Sequence, residues 1–233
     1  SMLSSFTPGT SALISTALTL VIGCMAAYAL VRFRFMGRDT ASLTTLMVRM
    51  VPPAVLLVPV FGLWNNEFCI DRDSMVGEMI RDTFGGRGDV CLAGTHSGII
   101  LFYVAMNLPF VIWILQSFIV QVPYSLEEAA RVDGATPFQV FFRVVLPLIK
   151  PGLAAAAIFT FRVGWNEYLL ASALSDRDTK TVPILIVNNM AEFNVEWGVI
   201  MATGMLLAIP PIIFTLFASR QIITGMTAGA VKG

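Results

Sequence analysis

Long runs of apolar residues, separated by short polar stretches, dominate the pattern along the chain. Five runs are long enough to cross a membrane: 11–31, 45–64, 97–120, 153–174 and 197–219. A membrane-crossing helix needs about 20 mostly apolar residues to cover the hydrocarbon layer. The strands of a membrane barrel would instead alternate apolar and polar residues in segments of about ten, and these runs are continuous. The pattern therefore predicts an all-α integral membrane protein, a polytopic helical bundle with five visible spans.

Composition supports this prediction and excludes several other classes of protein. Apolar residues make up 56% of the 233 residues, charged residues 13%, and the net charge is zero. A water-soluble domain has about a quarter charged residues, and a disordered chain is poor in apolar ones. A zero net charge does not favour nucleic-acid binding. One histidine and three cysteines, with no Cys-x-x-Cys pair, predict that the chain holds no metal. Membrane lipid is the expected surrounding.

The distribution of lysine and arginine predicts the orientation of the chain, because cytoplasmic loops carry an excess of these residues. Nine lie on one side of the predicted spans: Arg32, Arg34, Arg38, Arg49, Arg131, Arg143, Lys150, Arg220 and Lys232. Five lie on the other: Arg72, Arg81, Arg87, Arg177 and Lys180. We therefore expect the N-terminus outside and the C-terminus in the cytoplasm.

The long outer loop, 65–96, contains Cys69 and Cys91. Disulfides form and persist in oxidising compartments outside the cytoplasm, and no third cysteine lies in this loop. We expect Cys69 and Cys91 to form a disulfide, with two free thiols as the alternative.

The inner loop, 121–151, has the pattern of a helix, a turn and a second helix. Ser125 can cap the first helix, whose first turn holds Glu127 and Glu128. Gly134 can end it. The second helix is predicted by a capping residue, a proline at its first position, an aromatic face and a terminating proline: Thr136, Pro137, Phe138, Phe141, Phe142 and Pro147. The exposed apolar face fits either an amphipathic helix lying on lipid or docking into a partner protein, which explains the turn and its caps better.

Several residues of this loop resemble the EAA loop of ABC importer permeases. Its pattern, E-A-A-x-x-x-G ending in L-P, is matched by Glu128, Ala129, Ala130, Gly134, Leu146 and Pro147. The form found in carbohydrate importers adds Asp133, Ala135 and Pro151. The resemblance continues in Trp165, Asn166, Glu167 and Tyr168, similar to a W-N-E-aromatic segment of sugar permeases. It also includes the ending at 225–233, similar to that of maltose-permease-G-like members, and Tyr28, Ala29 and Leu30 before Arg32 and Phe33.

This resemblance implies a fold and a set of partners. It implies a single permease domain over 1–233 of the type I importer kind, where six spans with both ends cytoplasmic are usual. The span missing from the five seen here would be the N-terminal one. Its location would be the cytoplasmic (inner) membrane of a bacterium or archaeon. The partners implied are a second homologous permease subunit, two ATPase subunits and an extracytoplasmic solute-binding protein.

In the family, the EAA loop sits in a cleft of an ATPase subunit and transmits its motion. The coupling residues implied here are Glu127, Glu128, Ala129, Ala130, Asp133, Gly134, Ala135, Phe138, Leu146 and Pro147. The chain contains no Gly-Lys pair and hence no phosphate-binding P-loop. We expect no catalytic residue and no cofactor on this chain, with ATP and Mg²⁺ bound by the partner ATPase.

Polar residues inside the apolar runs are the candidates for a substrate path, because hydrocarbon does not tolerate them. Asn107 lies near the middle of its run, beside Pro109. Tryptophan offers an apolar face to a sugar ring, and Asn and Glu side chains can bond hydroxyl groups. The expected path residues are Asn107, Trp165, Asn166, Glu167 and Tyr168. The alternative is that the aromatic residues belong to the membrane interface and that Asn166 and Glu167 bond between helices.

Two other classes of protein compete with this interpretation. A secondary, ion-coupled transporter would need an intramembrane carboxylate or ion site, for which Glu167 is the only candidate. A membrane-embedded enzyme would need a nucleophile and a base within the bilayer, and the predicted spans contain no histidine, no paired aspartates and no Gly-x-Ser-x-Gly. The carbohydrate permease remains the favoured function, with the nature of the sugar or polyol left open.

Overall fold

The computed structural model describes residues 7–63, 69–70, 90–91, 96–174, 183–184 and 197–230. Within these ranges the chain consists of helices, two short strands and the turns that connect them. The helices are α1 (Thr7–Arg32), α2 (Arg38–Val48), α3 (Pro53–Gly62), α4 (His96–Gln121), α5 (Tyr124–Val132), α6 (Pro137–Leu148), α7 (Lys150–Asn166), α8 (Leu169–Leu174) and α9 (Trp197–Ala230). The strands are β1 (Cys69–Ile70) and β2 (Val90–Cys91). The all-helical membrane architecture expected from the apolar runs is confirmed at this level.

Three helices in the described part of the chain are long and apolar enough to cross a membrane individually. They comprise Thr10–Arg32 of α1, His96–Gln121, which is α4, and Trp197–Ser219 of α9. These match the runs predicted at 11–31, 97–120 and 197–219. Proline does not interrupt α4 or α9, although Pro109 lies inside the first and Pro210 and Pro211 inside the second.

The other two predicted spans are broken helices. The run 45–64 is divided between α2 and α3, with a turn at 49–52 before Pro53. Proline has no N–H to donate and restricts the residue before it, so consecutive prolines at 52 and 53 explain this break. The run 153–174 begins inside α7, loses helical structure at Glu167 and Tyr168, and resumes in α8. Helices α6 and α7 meet at a bend of 74°, and their length and composition fit either one broken span or a re-entrant loop. The count of five spans therefore stays a prediction.

Contacts between Cα atoms divide the chain into two units. Unit two comprises 16–50, 104–164 and 208–233. Its core consists of buried apolar side chains from α1, α4, α6 and α7: Cys24, Ala27, Val111, Ile112, Leu115, Ile119, Val122, Phe141, Val145, Ile149 and Ala156. Glycines let these helices approach closely. A Cβ added to Gly23 would lie 2.6 Å from Val111, and one added to Gly152 would lie 2.5 Å from the Phe118 ring.

Unit one comprises 1–15, 51–103 and 165–207. Helix α8 packs against α3, and the Ser11 hydroxyl lies 3.3 Å from Nδ1 of His96. Strands β1 and β2 pair in antiparallel register, which sets Cys69 opposite Cys91 and Ile70 opposite Val90. Unit one thus contains the described strand pair of the outer loop and the break after α7.

Candidate functional site

The inner loop folds as a helical hairpin of α5 and α6, called here the coupling hairpin (124–148). Helix α5 begins directly after Pro123, which makes no side-chain cap, so the cap expected from Ser125 is wrong. Helix α5 begins two residues earlier than a cap at Ser125 would place it, and Ser125 lies in its first turn. Pro123 holds an extended backbone that turns the chain from α4 into α5.

Gly134 ends α5 as the sequence predicted. Its φ is +85°, in the left-handed region that a residue without Cβ adopts at little cost. The N–H of Gly134 donates to the carbonyl of Arg131 at 3.0 Å, and that of Ala135 to the carbonyl of Ala130 at 2.9 Å. These two bonds form a Schellman motif. The motif reverses the chain sharply and brings it to the start of α6.

The predicted cap of the second helix is confirmed. Oγ1 of Thr136 accepts from the Gln139 N–H at 3.4 Å, while Oε1 of Gln139 accepts from the Thr136 N–H at 2.9 Å. This is a capping box, and Pro137 follows at the first helical position. The Thr-x-x-Gln spacing in the sequence is the signal that could have identified the role of Gln139.

The expectation that Pro147 stops the second helix is wrong. Helix α6 contains a π-helical turn, Phe141–Val145, and continues to Leu148. Pro147 falls in the first turn of the α-helical segment that follows, where a missing N–H costs little. The helix ends instead at the bend before α7.

Most of the residues assigned to coupling lie on the surface of the hairpin. Exposed among them are Glu128, Ala129, Asp133, Gly134, Phe138 and Pro147, while Ala130, Ala135 and Leu146 are half-buried. Large apolar side chains contribute to the same surface, with exposed fractions of 73% for Phe138, 57% for Phe142 and 87% for Val132. Tyr124 and Leu126 are also exposed. The hairpin therefore presents apolar and aromatic side chains that the described part of the chain leaves exposed.

Glu127 differs from the other coupling residues because it is fully buried. Its Oε1 accepts from Nε of Arg32 at 2.6 Å, and its Oε2 accepts from the Tyr28 hydroxyl at 3.0 Å. Nη2 of Arg131, one helical turn later, lies 3.9 Å from Oε2. The carboxylate thus faces into the protein, toward the last turn of α1.

Arg32 makes further bonds that connect α1 to the end of α4. Its Nη2 donates to the carbonyls of Val122 at 2.8 Å and Ile119 at 3.2 Å. These carbonyls lie at and just beyond the C-terminus of α4, where helical N–H partners are absent and cations are favoured. From the sequence, Tyr28 belongs only to the family resemblance and Arg32 also to the basic residues that predict orientation, and no contact is predicted for either.

Tyr124, in the first turn of α5, lies close to two guanidinium groups. The guanidinium carbon of Arg32 is 5.7 Å from the ring centroid, and that of Arg131 is 5.6 Å. Nη1 of Arg131 also donates to the Tyr124 hydroxyl at 3.1 Å. This hydrogen bond is the main cause that raises the pKa of Arg131 above its ordinary value. The bond thus favours the charged form of Arg131, which arginine keeps at physiological pH in any case.

The five residues proposed from sequence for a substrate path belong to separate units. Asn107 lies in α4 within unit two and is 1% exposed. Trp165, Asn166, Glu167 and Tyr168 belong to unit one, at the break between α7 and α8. Asn166 is exposed in the chain, and Trp165, Glu167 and Tyr168 are half-buried.

Two residues at this break make structural bonds. Nε1 of Trp165 donates to the carbonyl of Leu207 at 2.9 Å. Oε2 of Glu167 accepts from the N–H of Ala171 at 2.8 Å, which satisfies a first-turn donor of α8. This bond spans only four residues of the chain and caps α8, so it is a local bond and not a bond between membrane helices.

Comparison with known proteins identifies the family. The profile of the family described as "Binding-protein-dependent transport system inner membrane component" matches residues 19–226. The chain is 36% identical to the trehalose transport system permease protein SugB of Mycobacterium tuberculosis, covering 95% of this chain and 73% of that protein. It is 34% identical to the diacetylchitobiose uptake system permease protein DasC of Streptomyces coelicolor, covering 92% and 70%. It is 32% identical to the trehalose/maltose transport system permease protein MalG of Thermococcus litoralis, covering 94% and 71%.

Solved structures show the same fold. The MetNI methionine ABC transporter, in an inward-facing conformation, matches with a TM-score of 0.67 at 19% identity, covering 96% of this chain and 95% of that one. A bacterial ABC transporter that imports alginate matches with a TM-score of 0.61 at 21% identity, covering 99% and 74%. The resemblance to carbohydrate-importer permeases read from the sequence is confirmed by these comparisons. The chain belongs to the family of binding-protein-dependent transport system inner membrane components, and it is a multi-pass ABC transporter permease and not an enzyme.

Proposed function

We propose that the chain is the membrane-spanning subunit of an ATP-driven importer that carries a sugar, polyol or related small solute. An extracytoplasmic binding protein would deliver the solute. The relatives described above are named for the transport of trehalose, diacetylchitobiose and trehalose/maltose, which supports a carbohydrate as the substrate class. The sequence of this chain alone favours no one sugar.

The coupling hairpin is the observation that carries this proposal. Phe138, Phe142 and Val132 are exposed on it, although burying each apolar side chain would be favourable by about 1.5–3 kcal/mol. The Schellman turn at the end of α5 and the capping box at the start of α6 hold this surface in a defined shape. An ordered apolar surface of this kind suits a protein cleft better than a lipid layer. The proposed occupant of the hairpin is therefore an ATPase subunit.

The proposed assembly contains a second homologous permease, two ATPase subunits and the external binding protein. ATP and Mg²⁺ would be bound by the ATPase subunits, since this chain carries no P-loop. The hairpin and the C-terminus would lie in the cytoplasm, on the side that collects nine of the basic residues. The membrane would be the inner membrane of a bacterium or archaeon.

We retain Asn107, Trp165, Asn166, Glu167 and Tyr168 as the proposed substrate path. Asn107 is buried within unit two despite its amide, and Asn166 is exposed within unit one. An amide facing lipid would be costly, so Asn166 would face the path or another subunit. The bonds of Trp165 and Glu167 would then hold the break at 167–168 in a fixed conformation beside that path.

We also propose the disulfide between Cys69 and Cys91. Directly opposed residues of antiparallel strands have Cα atoms about 4.5–5.5 Å apart, and disulfides need roughly 4.4–6.8 Å. The pairing of β1 with β2 therefore supports the bridge through its register.

Reconstitution of the complex tests the proposed function. The chain, its sister permease and the ATPase subunits would be placed in proteoliposomes containing ATP and Mg²⁺, with the binding protein and labelled trehalose or maltose outside. We expect uptake that requires both ATP and the binding protein. Uptake that proceeds without ATPase subunits and follows an imposed proton or sodium gradient would contradict the proposal and identify a secondary transporter.

A further inference from the structure

We propose that Tyr28 and Arg32, in the last turn of α1, are positioning residues that transmit motion from the coupling hairpin to the membrane helices. Glu127 is the hairpin residue through which this transmission passes. The inference rests on the proposed function and deepens it, because it names the internal connection between an ATPase-binding surface and the helices that must move.

The first observation is the difference between two neighbouring glutamates. Glu128 is exposed on the hairpin, while Glu127 is fully buried. Consecutive residues of a helix point to different faces. Glu128 therefore lies on the outer face of α5, and Glu127 lies on its inner face. A partner that moves the outer face of α5 would therefore also move the Glu127 carboxylate, because both belong to the same helix.

The second observation is the pair of hydrogen bonds that the Glu127 carboxylate accepts. Its two oxygens are held by different groups of α1, Nε of Arg32 at 2.6 Å and the Tyr28 hydroxyl at 3.0 Å. The side chain of Arg32 is only 11% exposed. A buried pair that loses one partner leaves an uncompensated charge, so the remaining partner resists separation. Helix α5 and the end of α1 should accordingly move together.

The third observation is that the same two residues contact the other neighbouring helices. Arg32 donates to the carbonyls of Ile119 and Val122, at the end of α4. The Tyr28 ring packs against the Phe141 ring of α6, with centroids 4.9 Å apart. Tyr28 therefore touches both helices of the hairpin, and Arg32 joins the hairpin to α4. Two side chains of α1 connect α4, α5 and α6.

The experiment uses the full reconstituted complex and measures solute transported per ATP hydrolysed. Arg32→Ala removes the ion pair and the bonds to α4, and Tyr28→Phe removes only the hydroxyl while keeping the ring on Phe141. Arg34→Ala is the matched control, because Arg34 is the same residue type two positions later and is exposed. The amount of ATPase subunit bound to each purified complex is measured in parallel.

We expect both substitutions at α1 to leave the ATPase subunits bound and hydrolysing ATP. Solute transported per ATP should fall by about twofold to thirtyfold, the range found for residues that lie between coupled sites. Arg34→Ala should match the unsubstituted complex. If the Arg32→Ala complex does not assemble, Tyr28→Phe alone tests the inference, since it leaves the ion pair in place.

A merely structural role gives a different result. It would lower the amount of assembled complex and leave solute per ATP unchanged in what does assemble, and that result from Tyr28→Phe would overturn the inference. Uptake by the unsubstituted complex separates this failure from failure of the proposed function. If the unsubstituted complex shows ATP-driven uptake and the variants keep its solute-to-ATP ratio, only the role of α1 is wrong.

Discussion

Trp165 and Leu207 are joined by a hydrogen bond that compensates for a proline. The carbonyl of Leu207 would ordinarily accept from the N–H of residue 211, but Pro211 has none. Nε1 of Trp165 donates to this carbonyl at 2.9 Å. The break after α7 is thus tied to the helix that contains the two prolines, and α9 can keep Pro210 and Pro211 inside a continuous helix.

Trp165→Phe should destabilise the chain by about 1 kcal/mol, because it leaves the Leu207 carbonyl without its donor while keeping an aromatic ring. Thermal unfolding of the purified chain in detergent, followed by circular dichroism, measures this. Trp197→Phe is the control, since Trp197 is 64% exposed at the start of α9. Equal midpoints for the two variants would show that the bond adds nothing to stability.

Asn166→Ala and Glu167→Gln test the proposed substrate path. Glu167→Gln keeps an oxygen that can accept from the Ala171 N–H but removes the charge that could bind a hydroxyl group. We expect uptake at low solute concentration to fall by about tenfold, the value of one hydrogen bond to a charged group, with unchanged assembly. Normal uptake by both variants would remove these residues from the path.

Gly134→Val and Gly134→Asn separate backbone conformation from simple bulk. A Cβ at this position would meet no atom within 4 Å, yet φ is +85°. A β-branched residue tolerates that conformation poorly, whereas Asn adopts it more readily. We expect Gly134→Val to lose roughly tenfold in solute transported per ATP through a loosened hairpin, a change within the range for coupling residues. Gly134→Asn should stay close to the unsubstituted complex, and equal losses would contradict the conformational explanation.

The proposed disulfide gives a direct chemical prediction. A bridge between Cys69 and Cys91 closes a loop of about 20 residues and would stabilise the folded chain by about 3 kcal/mol in the chain-entropy model. Alkylation of the native protein followed by mass spectrometry should therefore label neither cysteine until a reductant is added. Cys24, buried in unit two, is the internal reference for a thiol protected by burial alone. Alkylation of both loop cysteines in unreduced, unfolded protein would contradict the bridge.

The local features of the hairpin could be predicted from the sequence because they depend on neighbouring residues. Gly134 ends α5 through its own backbone freedom, and Thr136 and Pro137 start α6 within a single turn. The apolar runs of α1, α4 and α9 could be predicted equally well, because about 20 mostly apolar residues in succession are typical of a membrane-crossing helix. The family resemblance rested on these same short patterns.

Features that depend on residues far apart in the sequence could not be predicted in this way. Glu127 and Arg32 are 95 residues apart, and nothing in the pattern of α5 tells which of its two glutamates faces inward. The bond from Trp165 to Leu207 spans 42 residues. The break at 167–168 was also missed, because apolar composition predicts a span without showing where a capping glutamate divides it.

The affinity of the ATPase subunit for the membrane complex tests the central claim most directly. Phe138 is 73% exposed on the coupling hairpin, so Phe138→Ala should leave the stability of the chain within about 0.5 kcal/mol. Met36→Ala, at a fully exposed apolar residue outside the hairpin, is the control. If the hairpin is the docking surface, Phe138→Ala should weaken binding by about 2 kcal/mol, or roughly thirtyfold in Kd, as an aromatic residue at an interface centre does. An unchanged Kd for Phe138→Ala, equal to that of Met36→Ala, would contradict the account.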